Sequence, residues 1–136
     1  MNQILYQHEL FIPSTFDGLN KCLDIVYELT QRFNLDRDTI FCLNTVVIES
    51  VENAIIHGNK FSNDASVRVL IAVGLQEITV EVEDSGNGFD LNDIPSPVEG
   101  QAIGQEGGRG IFFIKSLSMS CYTLGRGNII RIKLKR

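Results

Sequence analysis

Residues Gln3 to Ile12 alternate, with Ile4, Tyr6, Leu10 and Ile12 on one parity, which predicts an opening strand. His8 shares that parity and reads as a partly buried strand histidine. The period then lengthens: Phe16, Leu19, Cys22, Leu23, Val26, Leu29 and Phe33 follow helical spacing, and Ser14 with Asp17 three positions on resembles a capping box. A short "NLDRD" connection leads to a second helix from about Asp36, striped by Ile40, Leu43, Val47, Val51 and Ala54, with Gly58 expected as its left-handed stop. Alternation returns at Val67, Val69, Ile71 and Val73, and again at Ile78, Val80 and Val82, with "GLQE" between them as a hairpin turn. From Ser85 to Gly108 the chain turns to Gly, Pro, Asn, Asp and Ser without periodicity, which predicts a lid segment at about 89–107. "GRGIFFIKSLS" predicts a third helix, with Ile111, Ile114 and Leu117 on one face. The last segment predicts a hairpin turning near Gly125 to Gly127, with Ile130, Ile132 and Leu134 inward and Arg131, Lys133 and Lys135 outward.

Successive strands joined by hairpins predict an α/β (α+β) two-layer sandwich, a mostly antiparallel mixed sheet with its helices on one face. No repeat or composition break divides the chain, so residues 1–136 are expected to form a single domain. Composition narrows the function classes. A formal charge of -5 and a pI near 4.9 argue against nucleic acid and anionic membrane surfaces as partners, since both need clustered cations. No basic start precedes a long apolar run and no apolar stretch approaches the roughly 20 residues of a membrane span, so a cytoplasmic location is expected. Cys22, Cys42 and Cys121 lack CxxC spacing and read as buried thiols rather than a disulfide frame or zinc site.

Three short stretches carry chemistry. In "IESVENAIIHGN", Glu49, Asn53 and His57 are four residues apart, a stripe within about 80 degrees of arc on the helix, with Glu52 beside it. A carboxylate and a carboxamide on one face suit a hard cation bound through oxygen with a proton acceptor nearby, or simply a wet helix side. In "EDSGNGFD", Asp84 continues the inward parity of Ile78, Val80 and Val82, a costly place for a carboxylate without partners. Gly86 and Gly88 then remove side chains from a tight turn, which would let a flat ligand approach the backbone. An ionised Asp only accepts hydrogen bonds, so it suits a donor such as the exocyclic amino group of adenine. In "GQEGGRGIFFIK", Gly107, Gly108 and Gly110 lie where a loop enters a helix, a geometry that favours phosphate, and Arg109 adds a planar set of donors. No GxxxxGK[ST] is present, so this is not a P-loop.

ExxxN on a helix, DxGxG after a strand and a lid ending in GxG at a helix start resemble, in that order, the ATP-binding domain of the GHKL superfamily. Within it, "TVVIESVENAIIHGNK", "VEDSGNGFD" and "GGRGIFFIKSL" look most like the anti-sigma factor serine kinases of the RsbW type. The resemblance implies ATP and Mg²⁺ as cofactors, Asn53 as the metal ligand and Glu49 as the general base or water-orienting residue. It implies Asp84 with Gly88 at adenine, and Gly108, Gly110 and Arg109 at the phosphates. It also implies a STAS-domain anti-sigma-factor antagonist as substrate, a sigma factor as the competing partner, and a homodimer. Where family members commonly carry threonine after the glycine opening the last strand, this chain has Asn128 after Gly127. A nucleotide-gated binding protein without catalysis is the alternative. A detached histidine-kinase domain fits less well, since neither His8 nor His57 occupies a phosphoacceptor hairpin.

Overall fold

The structure, a computed structural model, describes residues 2–88 and 108–136; the expected lid at 89–107 lies outside them. Strand β1 (Ile4–Pro13) leads to helices α1 (Phe16–Arg32) and α2 (Arg37–Asn53), and α2 continues into a π-helical turn at Ala54–Gly58. Strands β2 (Ser66–Gly74) and β3 (Glu77–Glu83) follow, then α3 (Gly108–Leu117), β4 (Ser120–Leu124) and β5 (Ile129–Lys135).

The five strands form one sheet in the order β1-β2-β3-β5-β4, and every adjacent pair is antiparallel. Its register puts like positions side by side: Leu10 opposite Val69, Val69 opposite Val82, and Val82 opposite Ile130. A one-residue slip would turn the apolar set to the wrong face, so burial of that face fixes the pairing. Against it pack Leu19, Cys22, Val26 and Leu29 of α1, Leu43, Val46, Val47 and Val51 of α2, and Ile111 and Ile114 of α3, all in one core. Each such buried branched side chain contributes about 1.5–3 kcal/mol. The expected two-layer sandwich is therefore present.

The opposite sheet face carries charge. Arg68 on β2 pairs with Glu9 of β1 at 3.2 Å, Glu83 of β3 at 2.8 Å, and Glu81 of β3. Glu81 also receives Arg131 of β5 at 2.6 Å and is left only 6% exposed on an open sheet face.

Three sequence expectations are corrected. The N-cap of α1 is Thr15, whose Oγ1 accepts the Gly18 N–H at 3.1 Å, while Ser14 is buried and its hydroxyl donates to the Ala65 carbonyl at 2.6 Å. Phe16 does not join the inward stripe; it is half exposed and meets Phe61 edge-on at 5.6 Å between ring centroids. Gly58 is not a left-handed stop, because the positive φ values fall on Lys60 and Phe61.

The helical run Arg37–Gly58 is, by length and composition, long and apolar enough to cross a membrane, contrary to the sequence expectation. Leu43, Val46, Val47, Val51 and Ile55 spend that apolarity on the core instead, each fully buried. Cys22 is buried, and Cys42 and Cys121 are partly so; all three are free. Burial pushes the Cys22 thiol up to about 12 and the Cys121 thiol to about 11, so both stay protonated at neutral pH.

Candidate functional site

Helix α2 forms because Asp36 caps it, accepting the Thr39 N–H at 2.8 Å, and because its apolar stripe faces the sheet. The Thr39 N–H and the Thr39 hydroxyl also hold the Asp36 carboxyl below its ordinary value. At the far end the ladder changes register: the Asn59 N–H reaches the Ala54 carbonyl at 2.7 Å, five residues back, in place of four. The π turn breaks the four-residue stripe read from the sequence. Glu49 and Asn53 precede it and stay half-buried, whereas His57 lies within it and is exposed.

The same turn explains Gly58. A Cβ at that position would overlap the Asp84 carboxylate, so the glycine is the floor on which Asp84 rests. Asp84 follows β3 on the inward parity. Its Oδ1 accepts the Gly86 N–H at 2.7 Å, closing a tight turn. Burial pushes the Asp84 carboxyl up, and Glu83 adds to this, against the Gly86 N–H and the Arg126 charge.

A cleft opens at this end of the sheet, lined by Ser50, Asn53 and Ala54 on one side, Asp84 and Val82 on the floor, and Gly127 and Asn128 opposite. Ile111 of α3 and Ile130 of β5 complete it. Thus Asn53 and Asp84, distant in sequence, share one cleft. Glu49 sits one turn earlier on α2 and abuts α3, where a Cβ on Gly110 would lie 2.6 Å from Glu49 Oε2. Gly108 and Gly110 both lie in the first turn of α3. Gly107 and the Arg109 side chain are outside the described residues.

Gly86 and Gly88 do not leave open space for a ligand in the way their sequence suggests. A Cβ on Gly86 would lie 2.6 Å from the Gly58 carbonyl oxygen. Gly88 has φ +85 and backs onto the Arg126 carbonyl, which a Cβ would overlap. Both glycines let the turn approach the protein's own backbone.

Sequence reasoning noted Asn128 without its contact and missed Asn59, and both hold this turn. Asn59, 6% exposed, accepts the Ser85 N–H at 2.7 Å and donates to Ser14 Oγ at 2.9 Å and the Ser66 carbonyl at 3.1 Å. Asn128 donates to the Asp84 carbonyl at 2.8 Å. Its carboxamide thus does its work on the Asp84 backbone.

The donor set suits a nucleotide with a hard cation. Asp84 offers an acceptor with capacity beyond its single hydrogen bond among the described residues, and Asn53 offers a neutral oxygen in the same cleft. No group of three or more His, Cys, Asp or Glu that could hold a metal occurs among the described residues.

Fold and cleft define an α/β sandwich that opens at one sheet end between two helices and a hairpin turn. The chain belongs to the histidine kinase-like ATPase domain family, whose sequence model matches residues 12–134. It is also 36% identical over 62 residues to the anti-sigma F factors of two Clostridium botulinum strains, Eklund 17B and Alaska E43. That match covers 46% of this chain and 42% of each relative, so it spans less than half the length of those proteins.

Proposed function

We propose that this protein binds ATP with Mg²⁺ in the cleft and is a serine-protein kinase and anti-sigma regulatory factor. Its substrate in this reading is a STAS-domain anti-sigma-factor antagonist, and its sequestered partner is a sigma factor. The observation that carries the reading is Asp84, a half-buried carboxylate sharing a cleft with Asn53 in a family of ATPase domains. The likeness to anti-sigma F factors supports the choice of partners.

Each residue then has a role that its chemistry allows. Asp84 accepts the exocyclic amino group of adenine, with Gly86 and Gly88 shaping the turn that holds it. Asn53 contributes the protein's oxygen to the cation. Gly107, Gly108 and Gly110 offer backbone N–H groups to phosphate, and Arg109 adds its fork of donors. Glu49 accepts the proton of the partner's serine hydroxyl. When bound, Mg-ATP supplies the transferable phosphoryl group and the cation that offsets its charge. A cytoplasmic location and homodimerisation belong to the same reading.

The test is incubation with labelled ATP and the STAS proteins encoded near this gene. Label on a serine, lost with Glu49→Ala, is the expected result. Tight partner binding that ATP modulates without transfer would instead identify a nucleotide-gated binding protein.

A further inference from the structure

The β4–β5 turn is built onto the Asp84 turn. The Asp84 N–H donates to the Asn128 carbonyl at 3.0 Å, and Asn128 Nδ2 returns a bond to the Asp84 carbonyl. Arg126 takes the next two carbonyls: Nε donates to Gly86 O at 2.8 Å and a terminal nitrogen to Ser85 O at 3.2 Å. On the other side, Asn59 holds the Ser85 N–H.

Arg126 is exposed, so these hydrogen bonds add little to folding. Their effect is on orientation. A guanidinium is planar and presents its donors in a fixed fork, so bonding consecutive carbonyls fixes the tilt of two peptide planes at once. Those planes contain the Gly86 N–H that holds Asp84 Oδ1. A carboxylate held at one angle reads the difference between an amino donor and a carbonyl acceptor; one free to swing turns to water instead.

We propose that Arg126 is a positioning residue that sets discrimination for adenine by holding the Asp84–Gly86 turn. This rests on the nucleotide reading above. Because Asn59 and Asn128 also anchor the turn, the Arg126 variant is expected to fold.

The experiment is calorimetric titration of the 136-residue chain with Mg-ATP and with Mg-ITP, whose 6-oxo group replaces the amino donor. Arg126→Ala should weaken ATP roughly tenfold, the scale of one charge-assisted hydrogen bond, and ITP less than about twofold. The ATP-to-ITP preference then falls roughly five- to tenfold, a ratio that a purely structural role would not move. Arg126→Lys, able to reach one carbonyl at a time, should fall between the two. An equal loss for both nucleotides, or no loss, overturns the role of Arg126 alone. Absence of ATP binding by the unmutated chain overturns the nucleotide reading and this inference with it.

Discussion

Glu81 and Asp84 stand three residues apart at the end of β3, face opposite sides of the sheet, and are both withdrawn from water. The fold treats them differently. Burial pushes the Glu81 carboxyl up, but the hydrogen bonds and charges of Arg68 and Arg131 outweigh it and leave the group below its ordinary value. At Asp84 burial wins, because one backbone N–H and an exposed arginine do not compensate. A carboxylate kept for structure has its partners supplied by neighbouring strands. One that faces the cleft retains accepting capacity and destabilises the protein that carries it.

Removing a partner from the first carboxylate should have the largest effect on folding. Arg68→Ala is expected to lower unfolding free energy by roughly 3 kcal/mol in urea titration, near the low end for breaking a buried pair. Mg-ATP affinity should stay within about twofold, since Arg68 lies on the opposite face from the cleft. The pH dependence follows from the direction of the shift. Glu81 is depressed below 4.5, so its contribution is full above that value and is lost as pH falls through the lower, folded-state value. The gap between wild type and Arg68→Ala should therefore be widest at neutral pH and close in acid.

Asn59→Ala blurs the comparison, because Asn59 joins the core to the Asp84 turn. It should cost about 2.5 kcal/mol in stability and also weaken Mg-ATP binding, both measurable on one preparation. Asp84→Asn separates the two again, with a loss of ATP affinity of roughly twentyfold by calorimetry. Its melting temperature should not fall. The raised folded-state value of Asp84 means that the folded chain binds more protons, so ionisation costs stability as pH rises past 3.8, and the neutral amide avoids that cost. A fall in melting temperature at pH 7 would contradict the assignment of Asp84 as under-partnered. Thr15→Ala should cost about 1 kcal/mol through the lost cap and leave nucleotide binding unchanged, since among the described residues Thr15 Oγ1 bonds only within its own helix start.

Strand parity made much of this readable in advance. Ile78, Val80 and Val82 place Asp84 on the inward side, and that alone marks it as unusual. The same parity sends Glu81 and Arg131 outward, yet their pairing depends on β3 and β5 being neighbours, a fact of topology. Asn59, Arg126 and Gly58 were out of reach for the same reason. Asn59 bonds a residue 26 positions away, Arg126 one 41 positions away, and the space that Gly58 leaves is filled by Asp84. The choice between Ser14 and Thr15 as cap is likewise settled by a carbonyl 51 residues on. Local sequence proposes candidates, and distant partners choose among them.

The π turn at Ala54–Gly58 has a consequence for how this fold can vary. A π turn holds one residue more than the α-helical turn it replaces, so deleting a single residue among 54–57 would let the segment relax into regular α-helix. The ladder would close and much of the core would survive. Because the turn already absorbs that extra residue, the Asn59 N–H would still reach the Ala54 carbonyl, now four residues back, so the phase downstream is kept with Gly58 beneath Asp84 and Asn59 beside Ser85. A single-codon deletion inside this turn would then be absorbed, which makes 54–57 the place where the chain can lose length and keep its cleft.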